Sequence, residues 1–125
     1  MTKRLFLFFA LLALALMPTA VTHAETDVPE ATLRKISKIT ALHQLAEQQV
    51  ESEQLRAAMQ TYEDILFIEP DDETAYANMG QLYLVFRDLK KSRASFQNAL
   101  SINPENETAL KGIKKLNDLD APSYL

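Results

Sequence analysis

Apolar residues recur at intervals of three and four along most of this chain, and over no length do they alternate with a period of two. That spacing marks helices with one buried face and argues against a sheet. The first stripe is Leu33, Ile36, Ile39, Leu42, Leu45, Ala46 and Val50, which predicts one long helix ending near Ser52. Pro29 suits its start, where a missing N–H costs little. Leu55, Ala58, Met59, Tyr62, Ile65, Leu66 and Phe67 predict a second helix, closed by Pro70. Asp72 is placed to cap a third, carrying Ala75, Tyr76, Met79, Leu82, Tyr83 and Phe86. After the link Arg87-Asp88, Leu89, Ser92, Phe96, Ala99, Leu100 and Ile102 predict a fourth. Asn106 can cap a fifth, running to about Leu119 with Ala109, Leu110, Ile113 and Leu116 on its apolar side and Lys111, Lys114 and Lys115 on the other. The fold predicted is all-α, with about five helices and the prolines confined to ends and turns.

The first 24 residues read differently. Lys3 and Arg4 precede an uncharged apolar run from Leu5 to Met17, Pro18 breaks it, and Thr22-His23-Ala24 places small residues at the positions a signal peptidase requires. This predicts a secretory signal peptide over residues 1–24, cleaved after Ala24, and a periplasmic or secreted location. The apolar run of 13 residues is short for a membrane span, which takes about 20. An uncleaved anchor is the alternative. Without Cys the chain has no lipoprotein anchor, disulfide or thiolate metal site. Cleavage would remove two bases and leave eleven against seventeen acids, a net charge of −6 where the whole chain has −4. An acidic domain of this kind argues against nucleic acid and against attraction to anionic lipid. No second stretch is apolar enough for an integral membrane span.

A longer period underlies the helical one. Ile65-Leu66-Phe67-Ile68-Glu69-Pro70 is answered 34 residues later by Ala99-Leu100-Ser101-Ile102-Asn103-Pro104. Tyr62 and Phe96, Leu42 and Tyr76, Leu45 and Met79, and Ala46 and Gly80 stand in the same relation. A fixed period of this size marks helical units that stack to build a shared core and that present a surface. Residues 73–106, with Tyr76, Met79-Gly80, Tyr83, Ser92, Phe96, Ala99 and Pro104 at the pattern positions, resemble a tetratricopeptide repeat. Residues 39–72 resemble a degenerate copy, with Gln49 where the family prefers Tyr and Ile65 in place of a small residue. Residues 107–119 look like the first helix of a third copy, with Lys114 at the place of Gly80, as suits a capping helix. Residues 25–38 form a polar leader and the start of the long first helix, whose Leu33 and Ile36 are expected to pack under the first repeat. Residues 120–125 are expected to be a flexible tail.

The resemblance implies antiparallel helix-turn-helix repeats wound into an α-α superhelix, and a concave groove lined by the first helix of each repeat. By alignment with the family pattern, Thr40, His43, Gln44, Glu47, Val50 and Glu51 would line it in the first repeat, and Thr74, Ala77, Asn78, Gln81, Leu84 and Val85 in the second. Thr108, Lys111 and Lys115 would follow on the cap. Asn78 matches the family's common groove amide, able to donate to and accept from a peptide backbone. The family's clamp for a C-terminal carboxylate is not reproduced, because Glu47 and His43 stand where it needs Asn and Lys. His43 with Glu47 one turn on is expected to be an exposed ion pair rather than a metal site. Phe67 is expected either to pack under the first helix or to form an exposed contact.

Neither a nucleophile motif nor a phosphate-cradling loop is present, Gly80 and Gly112 being the only glycines. Asp71-Asp72-Glu73 lacks the spacing of a calcium loop. The expectation is a non-enzymatic protein of the bacterial cell envelope, without cofactor or metal, that binds a peptide or protein partner by its groove. A homodimer joined through the repeat ends and an accessory subunit of an envelope enzyme are the alternatives.

Overall fold

The computed structural model describes residues 28–121. The predicted signal peptide and the last four residues of the predicted tail lie outside that range. Within it are five helices: α1 (Glu30–Glu51), α2 (Leu55–Ile68), α3 (Glu73–Val85), α4 (Leu89–Ile102) and α5 (Glu107–Asp120), with no strand among the described residues. α1 pairs with α2 and α3 with α4, each through a three-residue turn that reverses the chain, and α5 lies against both α4 and α3. The protein is an all-α arrangement of repeated antiparallel helices. Among the described residues, no helix is long and apolar enough to cross a membrane.

The 34-residue period is written into the backbone. At the end of α1, Gln54 N donates to Gln49 O (2.7 Å) and Glu53 N to Val50 O (3.0 Å). At the end of α3, Asp88 N donates to Tyr83 O (2.9 Å) and Arg87 N to Leu84 O (3.1 Å). Glu53 and Arg87 occupy the same left-handed conformation, with φ of 60° and 63°. This closure of a helix by a residue at positive φ usually employs glycine, which has no Cβ to clash. Asp72, Asp88 and Asn106 cap α3, α4 and α5 by accepting from Ala75 N, Lys91 N and Ala109 N.

Two apolar clusters share α3. Ala75, Met79 and Leu82 face one way and join Ala46, Ala58, Tyr62 and Ile65 from the first helix pair. Ala77 faces the other way and joins Phe96, Ala99, Ala109 and Leu116. Buried hydroxyls tie the pairs together. Ser92 Oγ donates to Gly80 O (2.7 Å) and Thr61 Oγ1 to Gln49 Oε1 (2.7 Å). The second bond explains the departure at Gln49, whose amide meets a threonine on α2.

The glycines carry the closest approach. A Cβ added at Gly80 would lie 2.6 Å from Phe96 Cδ1 and Cε1, and one at Gly112 would collide with the Cζ–Cε2 end of the same ring. Phe96 is fully buried between α3 and α5, and only Gly leaves room for it at both contacts.

Several apolar positions expected inside are not. Leu33 and Ile36 are 53% and 54% exposed, because α1 extends beyond the helices it packs against. Leu45 is also exposed, since it points toward the side where α3 buries Met79 under the preceding pair and α1 has no preceding pair described. Phe86 is a cap residue outside α3, and Leu110 is half-exposed on α5. Asp120, assigned to the tail, belongs to α5 and pairs with Arg93.

Gly112→Ala and Gly80→Ala are each expected to destabilise by about 1–3 kcal/mol through overpacking, although alanine is the better helix former. Urea denaturation checks this. Unchanged midpoints would contradict the tight packing about Phe96. Glu53→Gly is expected to stabilise by about 1 kcal/mol in the same assay, because it relieves the positive φ.

Candidate functional site

The faces of α1, α3 and α5 that share a side border two adjacent hollows. One, of about 270 Å³, is lined by Glu47, Val50 and Glu51 of α1, Tyr62 of α2, and Asn78, Gln81 and Leu82 of α3. The other, of about 690 Å³, is lined by Gln81, Leu84 and Val85 of α3, by Arg87 and Leu89, by Phe96, and by Thr108, Lys111, Gly112, Lys115 and Leu119 of α5. Gln81 lines both, so the two hollows adjoin along α3. The cause is helical geometry. Residues three and four apart share a face, so Glu47, Val50 and Glu51 line up on α1, Asn78, Gln81, Leu84 and Val85 on α3, and Thr108, Lys111 and Lys115 on α5.

Seven of the eight groove residues singled out in the sequence lie around this depression: Glu47, Val50, Asn78, Gln81, Leu84, Val85 and Lys111. His43 does not. Its Nε2 lies 2.8 Å from Asp72 Oδ2, the carboxylate whose other oxygen caps α3, and its ring stands 6.3 Å from that of Tyr62. It is therefore half-buried against the inter-repeat turn, and the exposed pair with Glu47 does not form. Ala77 is also withdrawn, because that side of α3 is closed by α4 and α5. Thr40 turns its hydroxyl back onto Ile36 O (3.0 Å), and Gln44 and Thr74 are exposed without lining either hollow. Phe67 is 91% exposed, so it does not pack under α1 and lies outside both hollows.

Tyr62, Arg87 and Leu119 line the depression and were not read from the sequence. Tyr62 registers as core because it aligns with Phe96. Arg87 registers as a turn, and Leu119 as the last residue of a fraying helix. One signal was available for Arg87: it stands 34 residues after Glu53, at the end of a helix that lines the groove.

Electrostatically, the depression is divided. Burial raises the pKa of the Tyr62 phenol, and the negative charge of Glu47 pushes it further the same way, while the Asn78 amide acts in the opposite sense. Glu47 and Glu51 have no cationic partner within salt-bridge distance among the described residues, and neither Arg87 nor Lys115 has an anionic one. Lys111 is paired with Glu107 at 3.0 Å on the open face of α5. The arrangement offers amides, apolar side chains and charges of both signs along one channel.

No family model matches the chain, and no curated protein matches it.

The Tyr62 shift gives a pH dependence. A phenol whose folded pKa lies above its unfolded value, about 10, keeps its proton in the folded state while the unfolded chain loses it. Stability is then full below about pH 10 and falls as pH rises beyond it. Tyr62→Phe is expected to flatten that alkaline loss in denaturation midpoints taken from pH 8 to pH 11, and an unaltered slope would contradict it.

Proposed function

We propose that this protein is a small tetratricopeptide-like scaffold of the bacterial cell envelope. It acts without catalysis and binds a peptide or protein partner along the depression formed by α1, α3 and α5. The observation that carries this reading is convergence. Residues at repeat-equivalent positions of three separate helices line two adjoining hollows on one side of the array, and Asn78 and Gln81 supply amides on the α3 face between α1 and α5. A preformed helical channel loses little conformational entropy on binding, so a short apolar and hydrogen-bonding contact suffices for useful affinity. The export step rests on the pattern of residues 1–24.

The two ends of the array differ, and the α5 end weighs toward a groove receptor over an array continued by a second copy. α3 buries Ala75, Met79 and Leu82 beneath the preceding helix pair, whereas the equivalent positions of α1 hold Ala41, Leu45 and Gln48. At the other end, Lys114 stands where Gly80 admits a partner helix. The lysine makes the α5 end polar, as suits the close of a repeat array.

Asn78→Ala combined with Gln81→Ala is expected to reduce crosslinked partner recovery from the native envelope about tenfold while far-ultraviolet dichroism stays unchanged. Equal recovery would move the contact out of the channel, first to Phe67.

A further inference from the structure

The channel carries an uncompensated charge at each end, and the two are of opposite sign. At the smaller hollow, Glu47 and Glu51 stand beside Tyr62 and Asn78 without a cation. At the larger, Arg87 and Lys115 stand without an anion, over a floor that includes Leu84, Leu89 and Phe96. Two large apolar side chains in the larger hollow, Val85 and Leu119, are 61% and 56% exposed. The wider charge distribution follows the same gradient. Residues 28–73 hold ten acids against four bases, and residues 74–121 hold five against seven. Local charge matters here, because fields are screened beyond about 8 Å at physiological ionic strength.

A second observation concerns Arg87. It pays for its position with a left-handed backbone that glycine would adopt freely, and its side chain lines the larger hollow. Glu53 shares that backbone and lines a separate hollow with Leu55, Arg56 and Phe86, outside the channel. The conformation belongs to the closing turn of each helix pair, and in the second pair that turn sets the Arg87 charge beside the larger hollow.

Deepening the groove reading, on which it rests, we infer that the channel takes an extended segment of a protein partner in one fixed polarity. A bulky apolar residue flanked by carboxylates occupies the hollow between α3 and α5, held by Arg87 and Lys115. A lysine or arginine of the same segment reaches Glu47 and Glu51. The two hollows lie on either side of α3, about one helix spacing of 10 Å apart, and an extended chain covers about 3.3 Å per residue. The cation therefore follows the acidic apolar group by about three residues.

The test is a titration of ¹⁵N-labelled protein with three probes, followed by amide shifts. The first is a blocked peptide reading glutamate, leucine, phenylalanine, glutamate, two serines, lysine. The second has every charge inverted, and the third is laurate. The first peptide is expected to shift the amides of Val85, Thr108 and Leu119 saturably and to bind at least tenfold tighter than its charge-inverted counterpart. Its affinity should fall with added salt. Arg87→Gly with Lys115→Gln should weaken it at least tenfold. Arg87→Gly alone should raise the melting temperature while weakening binding, whereas Glu53→Gly should raise it and leave binding unchanged. Equal binding of the inverted peptide, or no loss in the double variant, overturns the polarity; if Asn78 and Gln81 still shift, the groove reading survives. Silence of every channel amide toward both peptides removes both. Laurate binding in the larger hollow as tightly as the first peptide assigns that hollow to acyl chains and overturns the inference.

Discussion

The packing of one ring against two glycines sets the geometry on which the rest of the structure depends. Phe96 reaches from α4 to the backbones of α3 and α5, and Gly80 and Gly112 leave it room to do so. That contact fixes how closely α5 approaches α3, and so the width of the larger hollow, whose lining includes both Phe96 and Gly112. It also explains a local cost. Glycine inside a helix is unfavourable by roughly 0.5–1 kcal/mol relative to alanine, yet each of the chain's two glycines stands inside one. Burial of a full aromatic side chain, worth on the order of 1.5–3 kcal/mol, offsets it. The hydroxyl of Ser92 on the Gly80 carbonyl adds direction to what is otherwise a contact of shape.

Helices and caps were legible in the sequence because their causes are local. Apolar spacing gave each stripe, and Asp72 and Asn106 stood where a side chain must accept from a helix N-terminus. The 34-residue period was legible too, and its most regular expression is the backbone of the turns at Glu53 and Arg87. Burial at the ends was less legible. Leu33 and Ile36 continue the periodicity of α1 faultlessly, but periodicity states which residues share a face and not whether another helix reaches that far. Ala77 failed for the reverse reason. Its side of α3 is closed by α4 and α5, and nothing within α3 reveals that α5 folds back against it.

The channel was half legible. Positions on a single helix face can be read from spacing, so Glu47, Val50, Asn78, Gln81, Leu84, Val85 and Lys111 were found. Contributions from turns and from the second helix of a pair depend on tertiary approach, so Tyr62 and Arg87 were not. His43 was misplaced because its partner is 29 residues away, beyond any local rule. The division of charge along the channel likewise arises only when α1 and α5 are set on either side of α3. The sequence holds the gradient as a slow drift from acidic to basic, which folding converts into two facing ends.

Asp72 has a mechanical consequence. One of its carboxylate oxygens holds the first turn of α3, and the other holds His43 on α1. Substantial backbone packing joins α1 to α2 and α2 to α3, while α1 and α3 share the apolar cluster of Ala46, Met79 and Leu82 and the lining of the smaller hollow. Asp72 is therefore a polar cross-link between α1 and α3, set beside the apolar cluster that joins Ala46 to Met79 and Leu82. On the other side, α3 and α5 are clasped through a ring. The two sides of α3 are thus joined to their neighbours by different means, one in part by a carboxylate and the other by an aromatic ring.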